Sequence, residues 1–143
     1  MMLRRAVSLW KMHGFGLWMF HSRETGLFIG RGGLIRYESL FVGGQEEIGL
    51  AYAVLSSYWS RGYATEMGNA SLCVGFEHLG LDSIGAWTLP DNLASQRVMA
   101  KLGFRYERDI VFCSLPHRFF RLDRRDYHPS HACVESVTGS APR

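Results

Sequence analysis

Residues 58–66 read Tyr58-Trp59-Ser60-Arg61-Gly62-Tyr63-Ala64-Thr65-Glu66, and the change of pattern across them decides the fold. Before them, Glu47 to Leu55 alternates, with Ile48, Leu50, Tyr52 and Val54 on one face and Glu47, Gly49, Ala51 and Ala53 on the other. A period of two is a strand. Its second face is thin, leaving room for a ligand or for a closely packed helix. After them, from Gly62 to about Leu79, apolar residues recur at Tyr63, Met67, Ala70 and Val74. That helical spacing predicts a helix closed by Gly80. A loop turning at a glycine between a strand end and a helix start aims backbone N–H groups beside the positive end of the helix dipole. Such a junction suits an anion, phosphate above all. Gly62 permits close approach and Ala64 adds no bulk, but the loop is neither a Walker loop nor a GxGxxG fingerprint. Taken alone, a glycine at such a junction is more often structural than functional.

Working outward, residues 15–21 and 27–36 read as a hairpin around Arg23-Glu24-Thr25-Gly26, with a bulge or close approach at Gly32-Gly33 and a further turn at Gly43-Gly44. Gly68 and Gly75 inside the helix each cost roughly 1 kcal/mol against alanine, which implies tight packing or a tolerated weakness. Downstream, residues 83–89 are a strand. Pro90-Asp91-Asn92 then starts a shorter helix through Lys101, ended by Gly103. Strands 104–114 and 117–122 follow, around a turn at Leu115-Pro116. The order predicts an α/β (layered α+β) fold, a mixed sheet with hairpins at both ends. The domain spans 1–127, and 128–143 reads as a disordered tail.

Composition agrees. The 143 residues make one domain, and 47% hydrophobic with 20% charged content excludes disorder of the whole chain. A net charge of +3 suits a small anionic ligand and gives no reason to expect nucleic acid as a partner. Cys73, Cys113 and Cys133 are odd in number and lack CxxC spacing, so neither a disulfide framework nor a zinc ribbon is expected, and a reducing cytoplasm is the default. Cys73 reads as core. The start, Met1 to Trp10, faintly imitates a signal peptide, but Lys11 and His13 interrupt it and no cleavage site follows. No run approaches the roughly 18 apolar residues that span a membrane. A soluble, cytoplasmic protein is the expectation. No metal site is expected from His128 and His131, and His117 reads as a surface strand residue. Arg118, Arg121, Arg124 and Arg125, diluted by Asp123 and Asp126, read as a solvated face.

The segment Thr88 to Phe104 contains Asn92, placed as an N-cap, and Ser95 in the first helical turn. Taken together and in this order, residues 58–66 and 88–104 resemble the GNAT acetyltransferase superfamily. Gly62 and Ala64 match the last two positions of its (Arg/Gln)-x-x-Gly-x-(Gly/Ala) pyrophosphate loop, with Trp59 where Arg or Gln is usual. That Trp, and Asn92, Ser95, Val98, Met99, Lys101, Leu102, Gly103 and Phe104, are similar to the ribosomal-protein N-terminal (Rim-type) branch. The resemblance runs from about residue 10 to 127.

The resemblance implies a mostly antiparallel sheet whose strands 47–55 and 83–89 splay as a V around the arm of acetyl-CoA. The first strand and helix of the family are largely missing, with residues 1–13 left as a helix end. It places cofactor contacts at Leu55, Trp59, Ser60, Arg61, Gly62, Tyr63, Ala64, Thr65, Asn92 and Ser95. Ser95 becomes the proton donor to the leaving thiolate, since Met99 stands where many relatives have Tyr. Gly49 stands where relatives often have a Glu; Glu46 and Glu47 lie near but shifted, either of them able to be only a solvated strand end, and Glu47 is the candidate base. The acceptor is then an amine. Presenting a neutral lysine amine at pH 7 costs roughly 3.5 kcal/mol more than a neutral α-amine, so a site without a strong base favours α-amines. Three readings follow: an N-acetyltransferase, a non-catalytic acyl-CoA-binding module on the same scaffold, and, with least support, an RNA-binding domain using the terminal arginines. An open sheet edge also makes a homodimer plausible.

Overall fold

The computed structural model describes residues 15–37, 46–131 and 133. Residues 1–13, Gly43-Gly44 and most of the segment beyond His131 lie outside the described residues. The strands are β1 (Leu17–His21), β2 (Phe28–Tyr37), β3 (Glu47–Val54), β4 (Ser83–Thr88), β5 (Arg105–Phe112) and β6 (Leu115–Asp123), and the helices are α1 (Tyr63–Cys73) and α2 (Leu93–Leu102). They build one sheet in the order β1-β2-β3-β4-β6-β5. Every pairing is antiparallel except β3 with β4. The mixed, mostly antiparallel sheet expected from the sequence is the one observed.

Both helices lie on one face. Leu34, Leu50, Ile84, Ala86 and Leu122 from the strands meet Leu72, Phe76, Met99 and Leu102 from the helices in one buried cluster. The alternation of β3 explains which face: Leu50 is buried in that cluster, with Ile48 and Tyr52 packed at its margin. Gly68 is a packing residue, because a Cβ there would collide with Leu102 of α2. The expected helix to Leu79 is α-helical only to Cys73. It continues as one π-helical turn, Val74–His78, before Gly80 at φ +68°.

The thin face of β3 meets a side chain from β4 rather than a helix. A Cβ on Gly49 would come within 2.6 Å of Trp87 Cη2. Trp87 stacks on Phe119 at 5.9 Å and takes Tyr37 and Phe112 edge-on at 4.7 and 5.4 Å. Beside this cluster Arg121 donates to Glu47 Oε1 at 2.7 Å and Oε2 at 3.2 Å, and to Glu107 Oε1 at 2.9 Å. One guanidinium therefore ties β6 to β3 and β5 across the sheet.

Three expectations are corrected. The hairpin joining β5 to β6 turns at Cys113-Ser114 (φ 51° and 62°), not at Leu115-Pro116. With positive φ at both positions the two-residue loop is of the type I′ kind, a conformation proline cannot take. Pro116 fits within β6 because it lies beyond the reach of β4 and faces only Val111. Secondly, Cys73 and Cys133 form a disulfide, 60 residues apart with Cα atoms 5.7 Å apart. The chain returns to α1 beyond β6, with Tyr127 stacked on Phe76 at 4.6 Å, and that contact is not written in cysteine spacing. Thirdly, the terminal arginines are not simply a solvated face. Arg118 lies over Tyr106 at 4.4 Å, Arg121 holds two carboxylates, and Arg124 donates to the Leu81 and Phe76 carbonyls. Arg125 is the exposed member.

Arg121→Met leaves Glu47, 7% exposed, without its counter-charge. A buried charge stripped of its partner destabilises by about 3 kcal/mol or more, so urea denaturation is expected to show at least that loss. Glu107 provides a pH signature. Its hydrogen bond from Arg121, aided by the charges of Arg121 and Arg108, holds the carboxyl below its ordinary 4.5. A depressed carboxyl contributes stability that is present above 4.5 and disappears as pH falls through its folded value. Stability of the wild type is expected to fall below pH 4.5 more steeply than that of Glu107→Gln.

Candidate functional site

Strands β3 and β4 touch at a single register pair, Gly49 with Gly85. Beyond it β3 runs on to Val54 and β4 to Thr88 without pairing, so the two part as a V. Leu55 N–H donates to Ile29 O at 2.9 Å. Consecutive residues of a strand send their backbone groups to opposite edges, so Tyr52 and Val54, not Leu55, face the open side. Leu55 O is also taken, by the Tyr58 N–H, and what Leu55 offers the cleft is its side chain, 46% exposed.

The V leads to the start of α1. Ser56–Tyr58 is a single 3-10 turn, Ser60 adopts φ 61°, and Gly62 is the N-cap at φ 82°. Glycine is favoured there because a Cβ is strained at positive φ. No side chain caps α1. The first N–H groups of a helix have no intrahelical acceptor, so the Tyr63, Ala64 and Thr65 amides are presented at the helix's positive end. A Cβ built on Gly62 meets nothing within 4 Å. This open, uncapped turn fits a phosphate or diphosphate. Trp59, 65% exposed, is pinned beside it by its Nε1–H bond to Val54 O at 2.8 Å, and Arg61 lies over the Tyr58 ring at 5.6 Å.

Helix α2 begins differently. Asn92 Oδ1 accepts the Ser95 N–H at 3.1 Å, the N-cap expected from the sequence. Gln96 extends the clasp, bonding the Pro90 carbonyl and receiving Arg118 from β6 at 2.9 Å each. With its backbone fixed this way, Ser95 turns its hydroxyl to the Tyr52 phenol of β3, Oγ to Oη 2.8 Å, and the phenol donates to Ser95 O at 3.1 Å. Tyr52 is the site residue the sequence reading missed. The alternation of β3 shows it only as one of four apolar-face residues, and the partner lies 43 positions away.

Glu47 stands at the closed end of the V, near Gly85, with both carboxylate oxygens bound by Arg121. His117 lies on the aromatic side, edge-on to Phe112 at 5.4 Å, with Nδ1 2.9 Å from Leu115 O. No group of three or more potential metal ligands occurs among the described residues. No helix among them is long and apolar enough to cross a membrane.

With this geometry in hand, comparison with known proteins is specific. The family described as Acetyltransferase (GNAT) domain matches residues 1–105. The uncharacterized protein YkkB of Bacillus subtilis is 31% identical over 118 residues, 82% of this chain, which spans 66% of that relative's length. A putative GnaT-family acetyltransferase from Bordetella pertussis superposes with a TM-score of 0.76 at 26% identity, over 84% of this chain and 72% of that one. A ribosomal-protein-S5-alanine acetyltransferase from Vibrio fischeri shares the fold at a TM-score of 0.69 and 21% identity, over 90% and 72% of the two chains.

Asn92→Ala removes the cap that fixes the backbone of Ser95. It is expected to cost about 1 kcal/mol, the usual value of an N-cap side chain, measured by chemical denaturation.

Proposed function

The chain belongs to the GNAT acetyltransferase family, and we propose that it transfers an acetyl group from acetyl-CoA to an amine. The observation that carries this reading is the parting of β3 and β4 directly into the glycine-turned, uncapped start of α1. A cleft that ends at free helical N–H groups suits a long ligand with a diphosphate at one end. When bound, acetyl-CoA supplies an acyl carbon activated by its thiol leaving group.

The chain's own residues divide the remaining work. Backbone amides from Ser60 to Thr65 (Ser60, Arg61, Gly62, Tyr63, Ala64 and Thr65) hold the pyrophosphate, and the Arg61 charge adds to the helix dipole. Leu55 and Trp59 line the mouth. The backbone groups of Tyr52 and the N–H of Val54 face the arm, the Val54 carbonyl being held by Trp59. Asn92 fixes the start of α2 and so places Ser95, whose hydroxyl is the donor to the departing sulfur. Glu47, engaged on both oxygens, is assigned to the sheet rather than to a proton from the amine. Without that base the acceptor arrives neutral, and an α-amine meets this requirement more cheaply than a lysine amine. A protein N-terminus, as in the Rim-type branch, is therefore the acceptor class we infer.

Calorimetric titration of acetyl-CoA into the chain is expected to show micromolar binding, abolished in Gly62→Trp, where an indole fills the pyrophosphate position. Circular dichroism checks that the variant is folded. A folded wild type that does not bind overturns the reading. Binding without turnover of any α-amine peptide or polyamine leaves an acyl-CoA-binding module instead.

A further inference from the structure

We propose that Tyr52 is the proton reservoir behind Ser95, so that two hydroxyls from opposite sides of the cleft act as one relay toward the leaving sulfur. The inference rests on the transferase reading above and goes further, because it assigns a role to a strand residue that neither motif contains. An aliphatic alcohol is a far weaker acid than a thiol, so Ser95 by itself is a poor source of a full proton. A phenol is a much closer match: its ordinary value is 10.0, against about 8.5 for a thiol.

The geometry supplies the coupling. Tyr52 Oη lies 2.8 Å from Ser95 Oγ, within ordinary O–H···O distance, and the Asn92 cap prevents the Ser95 backbone from drifting away. Tyr52 is half-buried at the margin of the core, where its ring is held by packing. Burial pushes the phenol up and the Ser95 hydroxyl draws it partly back, with no charged side chain contributing. The phenol is thus protonated at neutral pH. In the transfer step Ser95 passes its Oγ proton to the sulfur, which leaves the acyl carbon with the bonding electron pair. The Tyr52 phenol proton, held at rest by the Ser95 carbonyl, turns to Ser95 Oγ and passes to it, and water reprotonates the phenolate as product departs. The acceptor nitrogen releases its surplus proton to solvent.

Tyr52→Phe keeps the ring and its packing and deletes the relay. Two readouts are independent of turnover. The first is the ultraviolet thiolate band of bound CoA, followed against pH. The relay's hydrogen bonds stabilise the thiolate, so the bound thiol is expected to titrate lower in the wild type than in Tyr52→Phe or Ser95→Ala. The second is the Tyr52 ring carbon in 13C-labelled protein, expected to titrate higher in Ser95→Ala. In turnover with an Ala-initiated peptide, Tyr52→Phe is expected to lower kcat by about 10- to 100-fold with KM for acetyl-CoA nearly unchanged. The double variant is expected to be no slower than Ser95→Ala, as for groups acting as a unit. A Tyr52→Phe protein that binds CoA with wild-type thiol titration and kcat overturns the relay and leaves the transferase reading standing. Failure of the wild type to bind CoA overturns both.

Discussion

Everything at the candidate site follows from one contact, the parallel bridge between Gly49 and Gly85. Two parallel strands that stayed in register to their ends would leave no gap. Here the pairing holds at one point and then gives way. The contact is close because both residues lack side chains on the face where Trp87 and Phe119 pack: a Cβ on Gly49 would strike Trp87, and one on Gly85 would strike Phe119. Arg121 and Glu47 fasten the closed end. The aromatic cluster and the ion pair thus act as the hinge pin of the V, and the hydroxyl pair of Tyr52 and Ser95 spans its open part.

The two helices serve the cleft in opposite ways, and their caps show it. Helix α2 is capped by Asn92, which satisfies an orphan amide and holds Ser95 still. Helix α1 has a glycine at the same point and no side-chain cap, so its amides remain available. A capped helix positions a side chain, whereas an uncapped one presents backbone. The packing of Gly68 against Leu102 brings the helices together on one face of the sheet, so that both N-termini serve one cleft.

Much of this was legible in residues 47–104. The alternation of β3, the period of α1 and the Asn92–Ser95 cap are local patterns, set by side-chain geometry within a few residues. They gave the elements, their order and the face each presents. The hairpin at Cys113-Ser114 was misplaced because proline is the stronger turn signal in a sequence, whereas the twist of paired strands selects positive φ. The free Cys73 expected from odd cysteine number was misread for a different reason: its partner, Cys133, approaches only after the chain has crossed the sheet and returned.

By itself, then, the sequence determined the strand and helix content, the glycine turn at Gly62 and the Asn92–Ser95 cap, since each rests on contacts between near neighbours in the chain. Only the tertiary structure decided that Tyr52 is the partner of Ser95, that Glu47 is bound by Arg121, and that Trp87 fills the thin face of β3. These pairs lie 43, 74 and 38 positions apart. No periodicity or spacing encodes them, because they exist only once the sheet order has brought β3, β4 and β6 side by side and laid α2 against them.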